Sequence, residues 1–286
     1  YDIGAYRRSK DGTVDRGDDG VLVEHRVVAV ADGVTSLGGK GDVVVKDFKT
    51  LLDRHERNLK DSFIELALIC FQLRSSMMST FVAVKFPKKL EKKAQLVSVG
   101  DSSVFRVREG IMKQMNFHHT LAHCLSSLYS DYDSLERRIA LLGLGEEISE
   151  REIHEWCLRI EKMVPGFMEK TISQCRKLPY ATLREKAEKC RVFLSILQHC
   201  EKMLFRALGD NPEDLMPFVE EEELSVHEGD VWVLCTDGVN KVRQCMQEIL
   251  ACPAGEAAKF LVERSTIPDD RAAVVVKVQL TESPHN

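Results

Sequence analysis

The sequence predicts an α+β fold: a four-layer α-β-β-α sandwich in which two antiparallel sheets lie between flanking helices, with a helical insertion. Short apolar runs rich in valine occur near both ends of the chain, and helical periodicity dominates between them. The run from Val27 to Ala31 is apolar at every position, so both faces of that strand must be covered. Hairpins, rather than repeated helical crossovers, connect the terminal strands, and they favour antiparallel sheets over a parallel one.

Each predicted element has its own signal in the chain. Val-rich segments predict strands at residues 20–24, 26–31, 80–86, 95–99, 104–108, 230–235 and 272–278. Apolar residues at helical spacing predict helices at about 42–74 and 242–264, and a mainly helical stretch at about 120–206. The turn residues from Gly100 to Ser103 predict a hairpin between two of the strands.

The composition indicates a soluble globular protein. The 286 residues are 44% hydrophobic, which is enough for a core, and no window approaches the roughly 20 apolar residues of a membrane helix. The start YDIGAYRRSK has no apolar signal segment, so we expect a cytoplasmic (intracellular) protein without a membrane partner. The net charge of -5 offers no broad basic surface for nucleic acid. Nine cysteines without CxxC spacing predict reduced, buried thiols.

Three predicted strands end in an aspartate beside a glycine, and these pairs are Asp32–Gly33, Gly100–Asp101 and Asp237–Gly238. One such pair alone is more often a hairpin turn. Further carboxylates stand at strand boundaries, namely Asp18, Asp19, Asp269 and Asp270. Carboxylates gathered in one cleft repel one another unless hard divalent cations join them, so the set predicts Mg2+ or Mn2+. Two such ions activate a water for hydrolysis of a phosphate ester.

Seven segments follow one another along the chain: RVVAVADG, MMSTFVAV, AQLVSVGDSSVFRVREG, FHHTLAH, FRALGDN, EGDVWVLCTDGV and PDDRAAVVVKV. In this order they resemble motifs of the metal-dependent protein serine/threonine phosphatases of the protein phosphatase 2C (PPM) family. The resemblance covers about residues 1–120 and 200–280. It implies a single phosphatase domain over residues 1–286, with about 120–206 as a helical insertion or enlarged flap within it.

The resemblance also assigns roles to individual residues. It implies that Asp32 bridges two metal ions, that Gly33 offers its carbonyl to one of them, and that Asp237 and Asp270 hold the other. Asp101 corresponds to a third metal position found in many members. Asp18 and Asp19 are the preferred early acidic pair, with Asp11 as the alternative. Arg7 is the preferred phosphate-binding arginine, with Arg8 and Arg16 as rivals. The catalytic set is thus Asp32, Asp237 and Arg7.

Three positions depart from the family pattern. Val34 stands where some members carry a histidine that protonates the leaving group, so water or His119 would supply that proton. The loop VTSLGGKG is longer than the family's compact glycine loop. Arg271 stands where asparagine commonly follows the last aspartate. None of these departures removes a metal carboxylate.

The expected activity is metal-dependent hydrolysis of phosphoserine or phosphothreonine in proteins. A catalytically weak, phosphatase-like scaffold that acts through the helical insertion is the alternative, and small phosphometabolites remain open as substrates. The insertion is either a stabilising cover or an element that recruits a regulatory partner or substrate.

Overall fold

The computed structural model describes residues 1–14, 17–34, 39–56, 58–73, 78–89, 92–116, 118, 120, 151, 155, 207–216 and 219–279. The chain divides into two compact units. One comprises Tyr1–His118 with Arg206–Asn286, and the other comprises His119–Phe205. The predicted helical insertion at about 120–206 lies almost wholly outside the described residues, so its helices stay a prediction.

In the part of the chain that the structure describes, ten strands form two five-stranded sheets in which every pair is antiparallel. The first sheet has the order β1-β10-β9-β6-β7, formed by β1 (Asp2–Arg8), β6 (Ser103–Arg108), β7 (Ile111–Gln114), β9 (Val231–Cys235) and β10 (Arg271–Lys277). The second has the order β2-β3-β4-β5-β8, formed by β2 (Gly20–Glu24), β3 (Val27–Ala31), β4 (Phe81–Lys85), β5 (Lys93–Val99) and β8 (Glu220–Ser225).

Five helices are described: α1 (Gly41–Arg54), α2 (Leu59–Gln72), α3 (Pro212–Leu215), α4 (Met246–Ala251) and α5 (Ala254–Arg264). Helices α1 and α2 cover the outer face of the second sheet, where Phe48 and Phe63 pack on Phe81. Helices α4 and α5 cover the outer face of the first sheet. Among the described residues no helix is long and apolar enough to span a bilayer.

The two inner sheet faces share one apolar core. Val28 and Val30 of β3 face it with Trp232 of β9 and Val274 of β10, whereas Ala29 belongs to the cluster under α1 and α2. Every residue of β3 is buried, as the uninterrupted apolar run predicted. The predicted four-layer sandwich of two antiparallel sheets between helices is therefore confirmed.

The predicted hairpin from Gly100 to Ser103 is wrong. Strand β5 pairs with β4 and β8 in the second sheet, and β6 pairs with β7 and β9 in the first. Because both edges of β5 are occupied by other strands, the chain crosses to the opposite sheet instead of folding back beside it. Gly100 allows the sharp change of direction, since its φ is +95°.

Both long predicted helices are interrupted. The first breaks between α1 and α2, where Glu56 has a φ of +49° and the Asn58 side chain caps α2 by accepting from the Asp61 N–H at 3.2 Å. The second breaks at Pro253, which precedes α5 and has no N–H to continue α4. Helical periodicity persists across both breaks, so it did not reveal them.

Three strands lay outside the prediction: β1, β7 and β8. Strand β1 pairs with β10 over its full length, from Asp2 with Lys277 to Arg8 with Arg271. The segment predicted as the first strand, residues 20–24, is therefore the second. The described cysteines Cys70, Cys235, Cys245 and Cys252 are free thiols, and the first three are buried. Cys190 lies outside the described residues.

Candidate metal centre

Strand pairing brings four of the predicted aspartates to one end of the sandwich. Gly20 at the start of β2 pairs with Ala31 at the end of β3, so Asp19 and Asp32 are neighbours. Cys235 at the end of β9 pairs with Ala273 near the start of β10, so Asp237 and Asp270 stand near the same edge. The two pairs also lie close to each other across the sheets, because the charges of Asp237 and Asp270 help to raise the pKa of Asp19.

The carboxyl group of Asp32 lies at the middle of this cluster. It is within hydrogen-bonding reach of the carboxyl groups of Asp19 and Asp237. Burial, followed by the charges of Asp19 and Asp237, raises the pKa of Asp32 far above its usual range. Burial also raises the pKa of Asp19, to about 7, although its hydrogen bond from Thr236 acts in the opposite direction. A divalent cation bound among these carboxylates would offset their mutual repulsion.

Asp19 provides the observation that tests the fit of a metal ion. Its side chain is buried, and its Oδ2 accepts a hydrogen bond from the Thr236 hydroxyl at 2.7 Å. Its Oδ1 is also buried and receives no hydrogen bond from an N–H or hydroxyl group. The Asp32 carboxyl group, which lies within hydrogen-bonding reach of Asp19, can donate only while it holds a proton. A buried carboxylate oxygen without a donor is unfavourable unless a cation approaches it. The oxygen therefore fits a hard divalent ion such as Mg2+ or Mn2+.

Thr236 is a member of the site that the sequence did not reveal. Its hydroxyl donates to Asp19 and accepts from the Ala272 N–H at 3.0 Å, so it ties β10 to the segment before β2. The sequence signal for it is a hydroxyl side chain that directly follows the apolar strand β9 and directly precedes Asp237 and Gly238.

Asp270 is held by main-chain amides. Its Oδ1 accepts from the Lys10 N–H at 2.6 Å, and its Oδ2 accepts from the Asp18 N–H at 2.5 Å. The Asp18 carbonyl in turn accepts from the Gly41 N–H at 2.6 Å, where α1 begins. These contacts place Asp18 beside Asp270 through its backbone, and the metal role of its carboxylate stays a prediction.

The glycines of the two Asp-Gly pairs serve close backbone approach rather than hairpin turns. A Cβ at Gly33 would lie 2.5 Å from the Gly39 carbonyl oxygen and 3.0 Å from that of Asp18. A Cβ at Gly238 would lie 2.0 Å from the Asp270 carbonyl oxygen. Both glycines thus let neighbouring chain segments converge around the carboxylates.

Arg7 reaches the same end of the molecule. Its Nη1 donates to the Asp19 carbonyl at 2.9 Å, whereas Arg8 uses its Nε to bind the Gly12 carbonyl at 2.9 Å within its own loop. Arg16 lies outside the described residues. Asp11, the alternative metal ligand, accepts from the Ser9 hydroxyl and from the Thr13 N–H at 2.9 Å.

The segment MMSTFVAV holds the backbone of Asp32. The Ser79 hydroxyl donates to the Asp32 carbonyl at 2.7 Å, and the Thr80 N–H donates to the same oxygen at 2.9 Å. Ser79 also exchanges main-chain hydrogen bonds with Leu208, at 2.8 and 3.3 Å, which places the described part of FRALGDN, residues 207–211, beside this segment. Asp101 lies in the connection from β5 to β6, and its predicted role at a third ion stays a prediction.

The departures from the family pattern have structural counterparts. The Val34 N–H donates to the Met78 carbonyl at 2.9 Å, so the position lacking histidine is a backbone contact. Arg271 donates to the carbonyls of Val262 and Ser265, at 3.3 and 3.0 Å, and thereby binds the end of α5. His119 lies outside the described residues, whereas His118 shares a hydrogen bond of 2.8 Å with the Ser103 hydroxyl.

Carboxylate oxygens dominate the donor set, which suits Mg2+ and Mn2+ better than softer metals. Within the described part of the chain, no group of three His, Cys, Asp or Glu side chains is already spaced around an ion position. The carboxyl groups instead touch one another. We conclude that the residues fit a divalent ion through their chemistry and through the unpartnered Asp19 oxygen.

No protein-family model matches the sequence, and no curated protein matches it significantly. Solved structures do match the fold. The PPM Ser-Thr phosphatase MsPP from Mycobacterium smegmatis superposes with a TM-score of 0.59 at 16% identity, covering 96% of this chain and 97% of that one. The chain has the PPM phosphatase fold.

Two further structures with the PPM fold support this conclusion. The serine/threonine phosphatase PstP/Ppp from Mycobacterium tuberculosis has a TM-score of 0.58 at 19% identity, with 97% of this chain and 98% of that chain covered. The catalytic domain of PstP with two manganese ions has a TM-score of 0.56 at 18% identity, with the same coverage. The resemblance drawn from seven motifs is therefore confirmed at the level of the PPM fold.

Proposed function

We propose that this chain hydrolyses phosphoserine and phosphothreonine in proteins with the help of two Mg2+ or Mn2+ ions, and a third where Asp101 takes part. The unpartnered, buried Oδ1 of Asp19 within the aspartate cluster is the observation that carries the proposal. The two manganese ions in the structure of PstP, which has the same fold, support it.

Each aspartate of the cluster has a proposed place. Asp32, which reaches both Asp19 and Asp237, would bridge the two ions. Asp237 and Asp270 would hold one ion, and Asp18, Asp19 and the Gly33 carbonyl would serve the other. Bound there, such ions would supply a water activated for attack on the phosphate ester.

The chain's own residues would position the phosphate and manage the protons. Arg7, whose guanidinium already reaches the Asp19 carbonyl, would hold two phosphate oxygens. Val34 offers no acid, so solvent water would protonate the leaving seryl or threonyl oxygen. Thr236 and the main-chain donors at positions 10 and 18 would keep Asp19 and Asp270 oriented.

Substitution of the cluster tests the proposal. We expect Asp32→Asn and Asp237→Asn to lower phosphate release by at least about a hundredfold, from an aryl phosphate and from a phosphothreonine peptide alike, because each removes a metal carboxylate. Retained turnover in either variant would contradict the metal assignment. Steady-state assays with Mn2+ in excess measure the effect.

Asp11→Asn is the matched control. It removes a nearby carboxylate charge but keeps an Oδ1 that can accept from Ser9 and Thr13. We expect nearly unchanged activity if Asp18 and Asp19 are the early acidic pair. A loss as large as that of Asp237→Asn would instead favour the alternative alignment through Asp11.

A catalytically weak scaffold is the second candidate. The mutual contact of the carboxyl groups and the two amides bound to Asp270 favour it, because both give the carboxyl oxygens partners within the protein. Titration calorimetry separates the two functions. Absence of Mn2+ binding at millimolar concentration would support the scaffold, and tight binding with turnover would exclude it.

The nature of the substrate follows from the same assays. Phosphoproteins are the proposed substrates, and a strong preference for small phosphometabolites over phosphopeptides would overturn that choice. A regulatory partner at the helical insertion and a cytoplasmic location stay predictions from the sequence.

A further inference from the structure

The connection from β5 to β6 is held against the start of β4. The hydroxyl oxygens of Thr80 and Ser102 share a hydrogen bond of 2.6 Å, and both side chains are buried. A Cβ at Gly100 would lie 2.6 Å from the Thr80 Cβ, so the connection can approach this closely only with glycine there. Asp101 stands between these two contact points in the sequence.

Thr80 is bound to Asp32 on its other side. The Thr80 N–H donates to the Asp32 carbonyl at 2.9 Å, and the Asp32 N–H reaches the Thr80 hydroxyl oxygen at 3.3 Å. A continuous set of hydrogen bonds therefore runs from the backbone of Asp32 through one hydroxyl to Ser102. It joins the end of β3 to the segment that crosses between the sheets.

The crossing segment is fixed at its far side as well. Asn116 donates through Nδ2 to the Ser102 carbonyl at 2.8 Å and accepts through Oδ1 from the Val104 N–H at 2.8 Å. Asn116 thereby anchors the backbone of the segment that carries the Ser102 hydroxyl. Buried hydrogen bonds that form one network can stabilise more together than separately, so loss of one hydroxyl would loosen the whole set.

We propose that Thr80 and Ser102 are positioning residues whose shared hydrogen bond sets the place of Asp101 relative to Asp32 and thereby strengthens binding of divalent metal ions. This inference rests on the proposed function, because it assumes that Asp32 and Asp101 hold metal ions. Outer hydrogen bonds of this kind typically change metal affinity by about ten- to a hundredfold when they are removed.

Paired substitutions at Thr80 test the proposal. Thr80→Val keeps the shape of the side chain but removes the hydroxyl, and Thr80→Ser keeps the hydroxyl but removes the methyl group. We expect Thr80→Val to weaken Mn2+ binding by about tenfold in calorimetric titration, and Thr80→Ser to stay close to the wild type. A general packing defect would affect both variants.

Ser102→Ala approaches the same hydrogen bond from the other side. We expect it to weaken Mn2+ binding, but by no more than Thr80→Val, which also removes the acceptor of the Asp32 N–H. The double variant should be no weaker than Thr80→Val alone, because the shared hydrogen bond is already lost in that single variant. Ser98→Ala is the matched control and should bind Mn2+ like the wild type. Ser98 is a buried serine, as Ser102 is, but it lies on β5 and its hydroxyl donates to the Glu220 carboxylate at 3.0 Å.

The outcomes separate this inference from the proposed function. If the wild-type chain binds Mn2+ and Thr80→Val and Ser102→Ala bind it equally well, the positioning role is wrong and the proposed function stands. The positioning role is also wrong if Thr80→Ser loses as much Mn2+ affinity as Thr80→Val. It is likewise wrong if the losses of affinity in Thr80→Val and Ser102→Ala add up in the double variant, because the shared hydrogen bond is then not their cause. If the wild-type chain binds no Mn2+, both are overturned.

Discussion

The carboxyl group of Asp32 is buried beside those of Asp19 and Asp237, and this arrangement links metal binding to stability. A raised pKa in the folded state means that the folded chain holds the proton more tightly than the unfolded chain does. The stability gained from that proton is fully present below the usual pKa of 3.8 and is lost as the pH rises through the folded value, about 7 for Asp19.

We therefore expect Asp32→Asn to stabilise the metal-free protein at pH 8 by about 1–3 kcal/mol, since asparagine folds without taking up the proton that the buried Asp32 carboxyl group must bind. The gain should shrink towards pH 4, where the wild-type carboxyl groups are protonated. Urea unfolding in EDTA at several pH values measures this difference, and a less stable variant at pH 8 would contradict it.

Addition of Mn2+ should reverse that order. A ligand at a hundred times its Kd stabilises the folded state by about 2.7 kcal/mol, and Asp32→Asn should gain far less because it lacks the bridging carboxylate. Asp61→Asn, at an exposed position on α2, should follow the wild type in both conditions.

The sequence revealed the acidic residues of the cluster but not the residues that hold them. Asp32 and Asp237 were predicted because an aspartate beside a glycine at a strand end is a local pattern. Thr236 and Thr80 act across sequence distances of 217 and 48 residues, on Asp19 and Asp32. No local pattern records which partner a buried hydroxyl will meet, so only the strand pairing discloses these contacts.

Strand β1 and helix α5 are joined by a contact that leaves no room for a side chain. A Cβ at Gly4 would lie 2.1 Å from the Gly255 nitrogen, and the Asp2 carboxylate accepts from the Ala254 N–H at 3.0 Å. The backbone of β1 therefore packs directly on the first turn of α5, while the Asp2 side chain satisfies a free amide there.

We expect Gly4→Ala to destabilise the protein by about 1–3 kcal/mol or more, because the added methyl group must push β1 and α5 apart. Chemical denaturation measures the change. Ala5→Ser alters the next residue of β1, which is exposed, and should leave the midpoint nearly unchanged. Equal denaturation midpoints for Gly4→Ala and wild type would contradict this prediction, because they would show that β1 and α5 accommodate the methyl group without loss of stability.

Elements differ in how readily the sequence discloses them. The run from Val27 to Ala31 identified β3 because burial on both faces demands apolar residues. Strand β8, with the sequence EEEELS, gave no such signal: it is an edge strand whose charges face solvent, and its pairing with β5 overrides its weak propensity. The passage of Gly100 to Ser103 between sheets uses the same residue types as a hairpin, so composition alone did not separate them.

In the molecule as a whole, one compact unit carries the candidate centre and the other carries the predicted insertion. We expect deletion of about residues 155–198 to lower turnover of phosphoproteins about tenfold more than turnover of an aryl phosphate, as loss of about 1.4 kcal/mol of remote binding energy would do. Parallel assays with both substrates measure the ratio. An equal change in the two activities would contradict selective docking by the insertion.

The pairing of β1 with β10 also constrains how the protein folds during its synthesis. Asp2 meets Lys277, so β1 is synthesised about 275 residues before its partner in β10, which takes roughly 14–55 s at about 5–20 residues per second. Asp270 arrives directly before that partner strand. A chain released before β10 is made thus lacks both the partner of β1 and one carboxylate of the candidate centre, so neither the first sheet nor the centre is complete in it.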